Sequence, residues 1–99
     1  MWSDNIQFIE EFNILLLNRS NYVLGFSNVS KGGIAGTVAD VRVIFSAAIL
    51  ANTSSIICGH NYPGGGLRPS QRDIDLTQKL KKAGEVLDIL VLDLSLIHI

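Results

Sequence analysis

Apolar residues come in short blocks along the chain, and the spacing within each block differs. Residues 12–17 (Phe-Asn-Ile-Leu-Leu-Leu) are apolar at all but one position, which reads as a mostly buried strand. Asn18-Arg19-Ser20-Asn21 is turn chemistry, and residues 22–27 then read as the returning strand of an antiparallel hairpin. Lys31-Gly32-Gly33 reads as a loop, with Gly36-Thr37 closing a short extended piece. From Asp40 the period changes. Asp40 is a helix N-cap residue, and Val41, Ile44, Phe45 and Ala48 follow at i, i+3, i+4 and i+7, which gives one apolar helical face stopping near Asn52.

Residues 54–59 are short and apolar, with β-branched residues in the middle, the pattern of a buried central strand. Residues 61–69 hold three glycines and two prolines and read as a loop. Ser70 opens a second helix. Its apolar stripe is Leu76, Leu80, Ala83 and Leu87, and Arg72, Asp75, Lys79 and Lys82 face outward. Residues 89–92 read as a last strand. The order β-β-α-β-α-β predicts an α/β domain with a mixed sheet, spanning residues 1–99 as one unit.

Composition narrows the function classes. The chain is 47% hydrophobic and 17% charged, which is a folding composition. Its net charge is −1, and the only basic concentration, Lys79, Lys81 and Lys82, is diluted by Asp75 and Glu85. Nucleic-acid binding therefore has no electrostatic support. Cys58 is alone, so it forms no disulfide within the chain, and it reads as a small buried thiol. No apolar run reaches the ~18 residues of a membrane span. The first residues show no basic-then-apolar leader, so the expected compartment is the cytoplasm.

The candidate chemistry sits after the buried strand. His60 stands at its end, where side chains lie outside the sheet and ligands commonly bind. Residues i and i+2 of an extended segment share a side, so an H-x-H pair can aim two imidazoles at one metal. Here the pair is His60-Asn61-Tyr62, followed after seven residues by Ser70-Gln71-Arg72-Asp73. Ser70-x-x-Asp73 is also a helix N-terminus signature, and Ser70 suits both roles. The three consecutive glycines, 64–66, are not followed by Gly-Lys-Ser/Thr, so a flexible loop is favoured over a phosphate cradle.

This spacing resembles the signature of the JAMM (MPN+) metalloprotease superfamily: an upstream Glu, H-x-H, seven residues, then S-x-x-D. The stretch from His60 to Ser70 resembles the bacterial RadC-like branch. Residues 10–18 resemble that branch's first strand with the Glu before it, which falls on Glu10 with Glu11 as the fallback. Asp40-Val41-Arg42 with Ala47-Ala48 resembles its first long helix, and residues 73–93 its second helix and the strand after it.

The resemblance implies a JAMM/MPN (cytidine deaminase-like) three-layer sandwich. It also implies zinc, held at His60, Asp73 and the position of Tyr62. Glu10 would be the general base on a zinc-bound water, and Ser70 would hydrogen-bond that water or the oxyanion. Peptide or isopeptide bonds would be cleaved. Three protein ligands leave the open position that zinc hydrolysis needs, and the metal brings the water's pKa toward ~7.

Tyr62 stands where the motif has His. A phenol is mostly neutral at pH 7 and is longer than imidazole, which predicts weaker zinc binding. Gly64 stands where the branch usually has Ser, and Leu94 where it has His in V-L-D-H. The tail after Asp93 stops before the family's final strands, which predicts a truncated C-terminal edge open to self-association. Three readings stay open: a zinc metallopeptidase domain of reduced or lost activity, a catalytically inactive interaction module on the same fold, and a DNA-repair accessory protein.

Overall fold

In the computed structural model, described for residues 11–32, 34–36, 39–63 and 71–98 (backbone alone at 35, 62, 63 and 95–98), one mixed sheet carries two helices. The strands are β1 (Glu11–Leu17), β2 (Val23–Lys31), β3 (Ile34–Ala35), β4 (Ser55–Pro63) and β5 (Leu90–His98). The helices are α1 (Val41–Leu50) and α2 (Gln71–Leu87). The sheet order is β3-β2-β1-β4-β5. β1 pairs antiparallel with both β2 and β4, and β4 pairs parallel with β5. The predicted α/β class and mixed sheet are those observed, with β3 added as a two-residue strand.

The hairpin closes through Asn18. Its side-chain oxygen accepts from the Ser20 and Tyr22 amides at 2.9 and 3.0 Å, and Asn21 takes the positive φ of 64° that the turn requires. Asp40 caps α1 by accepting from the Arg42 amide at 2.8 Å. Both helices end in the same way. Asn52 (φ 55°) and Asp88 (φ 57°) are left-handed, and the next amides, of Thr53 and Ile89, donate back to the carbonyls of Ala48 and Gly84. These are Schellman caps built without glycine.

Alternation on β1 and β4 puts Phe12, Ile14 and Leu16 opposite His60, Cys58 and Ile56 on one buried face. Ile44, Phe45 and Ala48 of α1 and Leu76 and Leu80 of α2 complete the same core. Each Leu, Ile or Phe side chain so buried contributes about 1.5–3 kcal/mol of transfer free energy. Both described helices thus form the layer on this face. The opposite face carries a cross-strand row, Phe26, Leu15, Ile57 and Leu92, of which Phe26 and Leu92 are 63% and 43% exposed.

Several expected boundaries shift. The loop expected from residue 61 begins later, because β4 keeps pairing with β5 through Asn61–Leu96 and Pro63–His98. That same parallel ladder carries β5 beyond residue 92, to His98. β2 begins at Val23 and runs on to Lys31, since β1 pairs with it as far as Glu11–Lys31. Leu87, expected in the core stripe of α2, is 43% exposed: it ends the helix, and Gly84, one turn earlier, takes the contact with β5. Asp73 and Thr77 are buried on α2 beside Leu76 and Leu80, so the inward face is partly polar.

Candidate metal centre

Two of the predicted site residues come together on the buried face. His60 lies within β4, two positions beyond Cys58, and is buried. Its ring stacks on Phe12, with centroids 4.2 Å apart at an interplanar angle of 30°. Asp73 lies in the first turn of α2, where a carboxylate suits the helix dipole, and it is also buried. The Ser30 hydroxyl donates toward its two carboxylate oxygens at 3.1 and 3.3 Å, which ties β2 to α2.

Thr77 connects the pair. Its hydroxyl donates to the Asp73 backbone carbonyl at 2.9 Å, one turn back, and its oxygen lies 3.3 Å from His60 Nε2. A second group meets the same nitrogen: Asp93 Oδ1 of β5 lies 3.4 Å away, and Lys81 Nζ lies 3.9 Å from Asp93 Oδ2. The parallel register aligns Asp93 with Cys58, one alternate position before His60.

Burial holds the His60 pKa below its usual value, since a charged imidazolium loses hydration there, while Asp93 and then Asp73 pull it back up. The ring is therefore neutral at pH 7, the form that ligates metals. Burial also pushes the Cys58 thiol up to about 12, helped by the Asp93 charge and opposed by Lys81. Cys58 is the inert buried thiol expected of it.

The remaining predicted positions divide. Tyr62 continues the β4 backbone two residues beyond His60, paired with Ile97, and its side chain is outside the described part. Glu10 and Ser70 lie outside the described residues. Glu11, the fallback for Glu10, is half-buried on β1, with Lys31 at 3.8 Å and Asn13 donating to it at 3.4 Å.

As to the implied zinc, a neutral buried imidazole and a buried carboxylate are suitable donors. Among the described residues, however, no three His, Cys, Asp or Glu side chains form a group that could hold a metal ion. Of the three ligand positions that the resemblance implies, His60 and Asp73 carry side chains of a suitable type, and the third is the one occupied by Tyr62.

The family model for a RadC-like JAB domain matches residues 1–98. This chain belongs to the RadC-like JAB family. Among its relatives, a UPF0758 protein of Flavobacterium johnsoniae is 49% identical over 84 residues, covering 85% of this chain and 37% of the relative. A UPF0758 protein of Porphyromonas gingivalis is 46% identical over 78 residues, covering 79% and 34%. One of Staphylococcus haemolyticus is 44% identical over 84 residues, covering 85% and 37%. The chain therefore spans about a third of the length of the curated relatives it matches. The α/β fold with its mixed sheet and two helices is that of a JAB/MPN-type domain.

Sequence reasoning within this RadC-like frame missed Ser30, Thr77 and Asp93. Thr77 was open to detection, since it stands four residues after Asp73 on the same helical face. Asp93 lay in the V-L-D segment that carried the resemblance. Ser30 had no signal, because its approach to Asp73 joins residues 43 apart in the chain.

Proposed function

We propose that the chain is a zinc-dependent hydrolase domain of the RadC-like JAB family, directed at peptide or isopeptide bonds and weakened by Tyr62. The observation that carries this reading is that the two intact motif residues, His60 and Asp73, are both buried on one face, with Thr77 reaching the His60 ring and the Asp73 backbone carbonyl. Zinc, when bound, supplies a nucleophilic water at neutral pH and polarises the scissile carbonyl. His60 offers a neutral nitrogen, and Asp73 a carboxylate fixed by Ser30. Glu10 and Ser70 take the general-base and hydrogen-bonding roles that the family motif gives them. A cytoplasmic location accompanies this reading; no helix among the described residues is long and apolar enough to cross a membrane.

Metal analysis of the purified protein tests the reading. We expect substoichiometric zinc in the wild type, none in His60→Ala or Asp73→Ala, and about one per chain in Tyr62→His. A Tyr62→His protein that still binds no zinc would sink the reading.

A second reading, a catalytically inactive interaction module on the same fold, is favoured by the apolar cross-strand row of Phe26, Leu15, Ile57 and Leu92. It predicts that Tyr62→His recovers zinc while the wild type holds none and hydrolyses nothing.

A further inference from the structure

α1 and α2 both begin at the end of the sheet where β4 delivers His60. α1 ends at Leu50, shortly before β4 starts at Ser55, and α2 follows the end of β4. Between their N-terminal halves lies an open cleft of about 580 Å³, within the usual size of a ligand site. Asp40 and Arg42 line one side, and Arg72, Asp75 and Lys79 the other, together with Leu76, whose side chain otherwise belongs to the core.

The charges in this cleft are not balanced. Asp40 is taken by Arg42, whose guanidinium lies 3.0 Å from it and whose amide donates to it at 2.8 Å. Asp75 accepts from the Gln71 side chain at 2.9 Å. Lys79 stands one turn beyond Asp75, yet among the described residues no carboxylate lies within ion-pair distance of its ammonium. The Arg42 contacts hold the Asp40 carboxyl below its usual value, and the field of Lys79 adds to them. The cleft thus keeps one uncompensated ammonium, with Arg42 and Arg72 on its walls.

We propose that this cleft docks an acidic peptide segment, with a carboxylate of the segment seated on Lys79. Its mixed charge suits a peptide better than a nucleic acid. Asp40 and Asp75 repel a phosphate backbone, whereas a peptide offers N–H groups to Asp75 while its carboxylate meets Lys79. The cleft and the candidate metal centre share the first turns of α2, since Arg72 immediately precedes Asp73 and Leu76 follows it by one turn. The segment is therefore the flank of a substrate. That last step rests on the proposed hydrolase function; the docking does not.

Fluorescence anisotropy of two labelled ten-residue peptides, alternating Gly and Glu or alternating Gly and Gln, tests the docking in the presence of a chelator. At low salt the glutamate peptide should bind at least about fivefold tighter, the scale of an exposed ion pair, and the preference should fade by about 0.3 M salt. Lys79→Glu should abolish it. Arg19→Glu makes the same charge change in the hairpin turn, at the opposite end of the sheet, and should leave the preference within about twofold. A wild type that binds both peptides equally overturns the proposal, as does a preference that survives Lys79→Glu or falls equally in Arg19→Glu. Tighter binding of an oligothymidylate of equal charge overturns the peptide assignment. Peptide docking by a protein whose Tyr62→His form never takes zinc keeps the cleft and removes the hydrolase reading alone.

Discussion

At the scale of single residues, the buried face mixes groups whose protons the fold controls. Cys58 has no exposed surface, and burial raises its thiol to about 12. The folded state therefore binds the thiol proton more tightly than an unfolded chain, whose thiol ionises near 9.0. Stability from this group is complete below about pH 9 and is lost as pH rises toward 12. We expect alkaline unfolding in that window, reduced in Cys58→Ala after allowing for its own cavity cost. A native thiol silent to Ellman's reagent at pH 8, and reactive once urea unfolds the chain, is the companion observation. Rapid labelling of folded protein would contradict it.

The candidate site was legible in the sequence only where spacing encodes it. His60 and Asp73 could be read because they flank one strand–loop–helix segment at a recognisable interval. Asp93 could not be given a role, because its reach to His60 exists only after β5 pairs in parallel with β4 in the observed register. Ser30 was hidden for the same reason: a β2 hydroxyl meets an α2 carboxylate through tertiary packing alone.

At the scale of elements, α2 and β5 fit together at Gly84. A Cβ there would run into the Ile89 carbonyl oxygen and sit 2.7 Å from Val91 Cγ2. The glycine is thus required by close approach, at a helix position that otherwise disfavours it. Gly84→Ala must push the end of α2 away from β5 and strain the cap that Ile89 makes with residue 84. We expect a loss of about 1–3 kcal/mol in urea unfolding, the usual range for an overpacked contact. An unchanged midpoint would show that the helix end yields freely. Periodicity placed α2 well but chose Leu87 for its inward stripe. The cap at Asp88 turns the chain before Leu87 reaches the sheet, and a period count has no access to that turn.

At the scale of the whole molecule, the sheet has two unlike faces. One carries the core and both described helices. The other shows Phe26 and Leu92, together with Leu90 and Leu94 at 60% and 53% exposure. Contiguous apolar surface of this kind drives association in a free chain. Leu92→Lys should therefore lower dye binding of the 1-anilinonaphthalene-8-sulfonate type and shift sedimentation toward monomer, with little change in unfolding midpoint. Equal dye binding by both proteins would mean that this face is covered in solution. β1 and β4 were legible as buried strands, but their near-continuous apolar runs do not disclose which side meets helices. In β5 the apolar pattern points the wrong way, because Leu90, Leu92 and Leu94 lie on the exposed side.

The pairing of β4 with both β1 and β5 also makes one ring a reporter of assembly. Phe12 meets His60 across the β1–β4 ladder, 48 residues away in the chain, and Asp93 approaches it from β5, 33 residues away. Both contacts close long stretches of chain, so neither exists when only the β1–β2 hairpin has formed. The surroundings of His60 are therefore a signature of the finished tertiary structure and not of any single element.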